Sequence, residues 1–133
     1  MVGHSDQGFR FGTLDRLHRP AEFAAVMSSR SRASGGCFEL RYRLRPAPDS
    51  GDASVQARLG LIIPKRLAKR AVLRNLLKRM AREAFRLAKP GLPPADLVLR
   101  LAKPPCANRR VIDADLRREW RKTVDDLLSG VAR

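Results

Sequence analysis

The sequence has few of the residues from which hydrolytic and metal centres are usually built. It contains two histidines, His4 and His18, and two cysteines, Cys37 and Cys106. The histidines have no partner motif for acid–base catalysis. The cysteines are too few and too widely spaced to suggest a zinc site or a disulfide framework, so reduced thiols are expected. No GxxxxGK phosphate loop and no evident cluster of carboxylates is present.

Long apolar runs are also missing. The first thirteen residues, MVGHSDQGFRFGT, lack the apolar core of a signal peptide, and no later stretch reaches the ~20 apolar residues of a membrane span. We therefore expect a cytoplasmic protein with no membrane partner and no small-molecule substrate. A chain of 133 residues suits one domain, and we predict a flexible extension over 1–13, a domain over 14–128 and a tail over 129–133.

Positive charge is what the sequence has in excess. Lys and Arg number 28 against 13 Asp and Glu, which gives a formal charge of +15. A compact fold with this charge repels itself unless an anionic partner is bound. Nucleic acid is the favoured partner, with an anionic membrane surface or plain solubility as the alternatives.

Hydrophobic periodicity predicts a mixture of helices and strands. A strand, a long helix and a strand in the middle of the chain imply a β-α-β unit with parallel strands, and the general rule gives such a crossover a right hand. The earlier strand is expected to pair antiparallel with the strand that follows it. The fold class is therefore α/β or α+β. The predicted helices cover 20–28, 69–89 and a last segment that begins after Asp113, and the predicted strands cover 37–44, 58–63 and 96–102.

The last predicted helix has clear end signals. Asp113 can cap its N-terminus and Gly130 is expected to end it. Its apolar stripe consists of Leu116, Trp120, Val124 and Leu127.

The long middle helix is strongly basic. Residues 65–89 hold ten cations and one anion, whereas a solvated helix face usually mixes both signs. A helix lying on a membrane would need its apolar side for lipid, yet the neighbouring strands need that side covered. A helix lying along a nucleic acid can cover the strands with its apolar face and bind phosphates with its cationic face. Charge alone does not distinguish RNA from DNA as the partner. The predicted apolar arc is Val72, Leu73, Leu76, Leu77, Met80, Ala84 and Leu87, and the opposite arc is Arg74, Asn75, Lys78, Arg79, Arg82, Arg86 and Lys89.

The segment from Arg58 to Arg86, RLGLIIPKRLAKRAVLRNLLKRMAREAFR, resembles the signature of the bacterial ribonuclease P protein component. The order of elements is similar to that family from about Leu14 to Leu128. Two positions depart from the pattern: Arg66 replaces a lysine and keeps the charge, whereas Leu76 replaces an arginine and loses it. The matching residues are Lys65, Arg66, Ala71, Val72, Arg74, Asn75, Lys78, Arg79, Arg82, Glu83, Phe85 and Arg86.

The resemblance implies an α/β fold, an α+β two-layer sandwich that also occurs as a domain of certain ribosomal proteins. Its small mixed sheet has the basic helix crossing between parallel strands, with the rare left hand. It further implies a protein subunit that binds the catalytic RNA of ribonuclease P and the 5′ leader of precursor tRNA. The RNA performs the cleavage and binds most of the catalytic magnesium. The implied RNA-binding residues are Lys65, Arg66, Lys69, Arg70, Arg74, Asn75, Lys78, Arg79, Arg82 and Arg86.

By the same resemblance, the leader binds in a cleft between the first helix and the sheet. Phe23, Phe38 and Tyr42 are the aromatic candidates for this cleft. The alternation of Phe38, Leu40 and Tyr42 is equally what a core-facing strand requires, so both interpretations stay open for Phe38 and Tyr42.

Three other functions are the alternatives to this assignment. A ribosomal or other structural RNA-binding protein of similar fold shares the charge and the layout. A DNA-binding regulator would usually show a short turn between two helices, whereas strands flank the basic helix here. A self-sufficient nuclease would need the catalytic groups that the sequence lacks.

Overall fold

A computed structural model of the chain describes residues 16–45, 56–105 and 112–132. The predicted extension over residues 1–13 lies outside the described residues, as does Cys106. No helix within the described ranges is both long enough and apolar enough to cross a membrane. The elements are α1 (Pro20–Met27), β1 (Arg32–Gly35), β2 (Phe38–Leu44), β3 (Arg58–Ile62), α2 (Ala71–Ala88), a 3-10 turn (Lys89–Gly91), β4 (Ala95–Leu101) and α3 (Ala114–Ala132).

The sheet has the order β1-β2-β4-β3. β3 and β4 are parallel on either side of the α2 crossover, and the other two pairings are antiparallel. This confirms the predicted mixed α/β fold, while the left hand of the crossover stays a prediction. The predicted antiparallel pairing of the strand at 37–44 with the strand at 58–63 is wrong, because β4 lies between them. β4 is buried on both faces, through Leu97 and Leu99 on one side and Val98 on the other, which suits a central strand.

β1 is the element that the sequence did not predict. It pairs with the start of β2 through a tight turn in which Gly36 has a φ of 53°, a conformation that favours glycine. Its sequence, RASG, has no alternating apolar signal. The short edge strand depends on its pairing with β2 and on α3, where Thr123 and Leu127 pack close to Gly35.

Two apolar clusters cover the two faces of the sheet. On one face, α2 and α3 pack against β2 and β4. On the other face, the short helix α1 contributes Val26, which packs with Leu17 and Val98. The largest fully buried side chains of the larger cluster are Phe38, Leu40, Leu77, Phe85, Leu97, Leu99, Leu101 and Val124.

The buried face of α2 differs from the predicted arc. Val72 and Leu87, both placed in that arc, are 77% and 55% exposed, whereas Ala81 and Phe85 are buried. The true face is therefore turned by roughly a quarter of a turn toward Phe85, at 100° per residue. The large Phe85 ring and the small Ala81 side chain fit between the sheet and α3. A helical wheel shows only which residues are apolar, so it could not predict this packing.

The predicted start of α3 is confirmed and its predicted end is wrong. Asp113 Oδ1 accepts a hydrogen bond from the Leu116 backbone N–H at 2.9 Å, and all four residues of the predicted stripe are buried. The helix continues past Gly130 to Ala132 because Val131, 6% exposed, extends the apolar stripe by one turn. Residues 129–132 therefore belong to the helix and do not form a tail.

Candidate nucleic-acid interface

The segment between β3 and α2 forms a tight turn that displays positive charge. The backbone N–H groups of Leu67 and Ala68 both donate to the Pro64 carbonyl at 3.1 Å, and Ala68 is fully buried. Burial of Ala68 fixes this turn against the core. Its charged side chains, all exposed, are Lys65, Arg66, Lys69 and Arg70.

Arg74 ties this turn to the first turns of α2. Its Nη1 donates to the carbonyls of Ala68 at 3.0 Å and Lys69 at 2.8 Å. Part of the guanidinium is therefore committed to holding the turn. The sequence assigned Arg74 to RNA contact alone, whereas the structure gives it a positioning role as well.

The N-terminal end of α2 is arranged for an anion. The helix has no acidic residue in its first turn and no side-chain cap, and Arg70 occupies the N-cap position. Cations at this positive end of the helix dipole are unfavourable by about 0.3–1 kcal/mol each unless an anion is near. On α2 and in the turn before it, six cations make no side-chain hydrogen bond or ion pair with the described residues. We call them the basic surface: Lys65, Arg66, Lys69, Arg70, Lys78 and Arg79.

The C-terminal half of α2 is less available to a ligand. Arg86 donates to the Glu83 carboxylate, and this hydrogen bond lowers the pKa of Glu83. Burial lowers the pKa of Arg82, and repulsion from Arg16 lowers it further. Arg16 is thus a cation near the basic helix that the sequence patterns did not identify.

A second charged region lies where α1 covers the sheet. Glu22 Oε1 accepts from the backbone N–H groups of His18 and Arg19 at 2.9 Å each, which lowers the pKa of Glu22 to about 2. Arg58 then links Glu22, at 2.8 Å, to both carboxylate oxygens of Asp96, at 2.8 and 2.9 Å. These bonds fix α1 to β3 and β4.

Arginines also surround the buried carboxylate of β2. Burial raises the pKa of Glu39, but hydrogen bonds from Arg41 and Arg100 outweigh this effect, so the pKa is lowered. Arg41 also donates to the Met27 carbonyl at the end of α1. Arg43, two residues further along β2, is exposed and has no carboxylate partner among the described residues. This face of the sheet therefore offers one fully available cation beside several that are paired.

Phe23 lies on α1, on the face of the sheet that this helix covers. Its half-buried side chain packs against the second apolar cluster, which Ile62 also contacts. Gly60 of β3 makes this position possible, because a Cβ atom there would come within 2.4 Å of the ring. The sequence identified Phe23 but gave no sign of its dependence on Gly60.

The other two aromatic candidates lie on the opposite face. Phe38 is 2% exposed in the main core, so it is not available to stack on a base, and of the two interpretations left open for it the structure supports the core. Tyr42 is half-buried and packs against the same core, on the far side of the sheet from α1. The strict alternation along β2 explains both positions, since residues two apart share a face.

The carboxylates of the described chain do not form a metal site. No group of three His, Cys, Asp or Glu side chains among the described residues is placed to hold a metal ion. Glu22, Glu39 and Asp96 all accept hydrogen bonds from arginine. They are therefore poorly suited to act as magnesium ligands.

The sequence matches the family model named Ribonuclease P over residues 11–127. The ribonuclease P protein component of Bordetella parapertussis is 50% identical over 86 residues, which cover 65% of this chain and 68% of that protein. The corresponding protein of Azoarcus sp. is 43% identical over 108 residues, which cover 80% of this chain and 84% of that protein.

Solved structures show the same fold. The RNase P protein of Staphylococcus aureus aligns with a TM-score of 0.69 at 21% identity, covering 90% of this chain and 98% of that chain. The RNase P protein of Thermotoga maritima aligns with a TM-score of 0.59 at 23% identity, covering 84% of this chain and 96% of that chain. Together with the family match over most of its length, these likenesses show that the chain belongs to the ribonuclease P protein component family and is a protein subunit of that tRNA-processing ribonucleoprotein.

Proposed function

We propose that the basic surface binds the catalytic RNA of ribonuclease P, and that the region between α1 and the sheet binds the 5′ leader of precursor tRNA. The observation that carries the proposal is this set of six cations on α2 and in the turn before it, none with a carboxylate partner among the described residues. The complex works in the cytoplasm, and the RNA supplies the chemistry of cleavage together with most of the magnesium sites.

The energetics favour phosphates as ligands of the basic surface. Lysine and arginine that neutralise phosphates release condensed counterions, which provides affinity without demanding a particular base sequence. Binding also relieves the repulsion among cations placed at the positive end of the α2 dipole. A folded RNA presents phosphates along its whole length, so an extended surface of cations suits it better than a small anion.

The α1 region has the mixed character that single-stranded RNA requires. A groove of about 490 Å³ runs between α1 and the ends of the sheet strands, with Arg19, Arg43, Arg45 and Arg58 in its lining. On the same face, Phe23 offers an aromatic surface on which a base can stack. Arginines that contact the phosphates of the leader, together with one ring on which a base can stack, allow binding that depends little on the leader sequence.

In this proposal the RNA binds the magnesium ions, and the protein carboxylates do not. The carboxylates closest to the proposed leader site hold arginines, and each would have to break these bonds before it could bind a metal ion. The role of the protein side chains is to neutralise phosphates and to position the two RNAs.

A salt titration of RNA binding tests the basic surface. The triple variant Lys69→Ala, Lys78→Ala and Arg79→Ala removes up to three phosphate contacts but none of the hydrogen bonds made by Arg74. We expect an affinity loss on the order of 100-fold near 0.15 M salt, and a log–log salt slope smaller by about 2–3. Binding to the catalytic RNA is measured by filter retention or fluorescence anisotropy at several salt concentrations.

The matched control removes the same charge elsewhere. Arg32, Lys103 and Lys122 are exposed, and none has a carboxylate partner among the described residues. Their replacement by alanine also takes three charges from the total of +15. If this control weakens binding as much as the first variant does, the effect is one of net charge and the basic surface is not the RNA site.

Substitution of Phe23 tests the leader site. Phe23→Leu keeps an apolar contact with Gly60 but removes the aromatic face, and Phe23→Ala removes both. Stacking of a base on an aromatic ring is worth roughly 1–3 kcal/mol, so both variants should lose most of the affinity gained from a longer leader. Binding to the catalytic RNA should change much less. The measurement compares precursor tRNAs with leaders of increasing length, and an unchanged leader dependence in both variants would remove Phe23 from the site.

A further inference from the structure

The start of α2 and the start of α3 enclose a groove with an apolar floor. It has a volume of about 700 Å³, and its apolar lining consists of Val72, Leu76 and Ile112. Val72 is 77% exposed, which makes it the most exposed large apolar side chain of the described residues. An exposed valine between cations has no role in phosphate binding, since a phosphate gains nothing from an apolar surface.

Polar and charged groups from both helices surround this floor. Lys78 and Arg79 of α2 line one side together with the exposed amide side chain of Asn75. Arg117 of α3 lines the other side, is exposed, and has no carboxylate partner among the described residues. The groove thus combines an apolar surface with hydrogen-bonding groups and with cations on two sides.

We propose that this α2–α3 groove binds one unstacked nucleotide from a single-stranded segment of the RNA partner. The base lies against Val72 and Leu76, Asn75 reaches its edge, and the flanking phosphates contact Arg79 and Arg117. Unstacked bases present flat apolar faces that require cover, while their phosphates require cations. The inference deepens the proposed function and rests on it, because it names the kind of RNA segment that one part of the interface accepts.

The charge around the groove selects RNA as its occupant. A protein partner with an apolar anchor would have to place acidic groups against cations on two helices at once, whereas a nucleotide carries its apolar and anionic parts together. Leu76 makes the floor apolar at the position where the resemblance predicts an arginine, and Arg117 brings a cation to the same groove from α3. Arg117 is thereby assigned to the interface although no sequence motif pointed to it.

Two substitutions separate the contacts of the base from those of the phosphates. Val72→Thr keeps the shape of the side chain but replaces a methyl group by a hydroxyl, whereas Arg117→Ala removes one charge. With the full-length protein and the catalytic RNA as the probe, Arg117→Ala should weaken binding about 5-fold and reduce the salt slope by about one. Val72→Thr should weaken binding about 3–10-fold with an unchanged slope, because it removes apolar contact without removing charge. Lys122→Ala, on the same helix outside the groove, should bind like the parent protein.

The outcomes distinguish failure of the inference from failure of the proposed function. If the Val72 and Arg117 variants bind like the parent while the Lys69, Lys78 and Arg79 triple variant is weakened, the groove is empty and the proposed function stands. A loss in only one of the two groove variants also overturns the inference, since base and phosphate must bind together. An equal loss in Lys122→Ala has the same consequence. If the triple variant too binds like the parent, the proposed function fails as well.

Discussion

Leu77→Asp should abolish the cooperative folding of this protein. Leu77 is 0% exposed at the centre of the face that α2 packs against the sheet and α3. An unpaired buried carboxylate is unfavourable by several kcal/mol, and a small domain has about 5–15 kcal/mol of stability in total. Thermal denaturation followed by circular dichroism should therefore show no native transition for this variant at neutral pH.

Val72→Asp is the matched control on the same helix. Because Val72 is exposed and lies in the first turn of α2, an aspartate there stays in water and faces the positive end of the helix dipole. Its melting temperature should be close to that of the parent protein. Met80→Asp should fall between the two, since Met80 is half-buried. If Leu77→Asp melts like the parent and Val72→Asp does not fold, the described orientation of α2 is wrong.

The elements with strong periodicity were predictable from the sequence. The limits of α1, β2, β3, α2 and β4 differ from the predicted ones by two residues or fewer at each end. The N-cap of α3 was predictable because a single aspartate precedes a regular apolar stripe. In each of these segments, local pattern and tertiary packing favour the same structure.

The order of the strands was not predictable from local pattern. Pairing β2 with β3 is the simplest expectation for consecutive strands, but β4 has apolar side chains on both faces and so takes the position between them. β1 was not predicted because its stability comes from pairing with β2 and from the packing of α3 on Gly35, which the local sequence does not show. The orientation of α2 was misjudged because Val72 and Leu87 are apolar but exposed.

The sequence placed the charged candidates of the site on one part of the fold, but it did not place the aromatic ones. All ten predicted RNA-binding residues lie on α2 or in the turn before it, but hydrogen bonds occupy part of Arg74 and Arg86. Phe38 and Tyr42 share a period-two alternation with Leu40, and only the structure shows that both pack with the main core, on the face away from α1. Arg117 and Gly60 belong to other elements, so no local motif could associate them with Val72 or Phe23.

We propose that this protein acts by bringing the catalytic RNA and precursor tRNA together, while the RNA performs the cleavage. Its cations should reduce phosphate repulsion between the two RNAs, a task that magnesium must otherwise perform. The protein should therefore matter most at magnesium concentrations where the RNA alone is slow. The Lys69, Lys78 and Arg79 triple variant should lose this benefit because it no longer holds the RNA tightly.

Reconstitution with the cognate catalytic RNA at low magnesium tests this claim most directly. The 5′ leader of precursor tRNA is released in parallel reactions with RNA alone, with RNA and protein, with RNA and the triple variant, and with rigorously RNA-free protein. We predict rapid leader removal with RNA and parent protein, slow removal with RNA alone or with RNA and the triple variant, and none with protein alone. Cleavage by RNA-free protein, or a magnesium requirement that the parent protein leaves unchanged, would contradict the account.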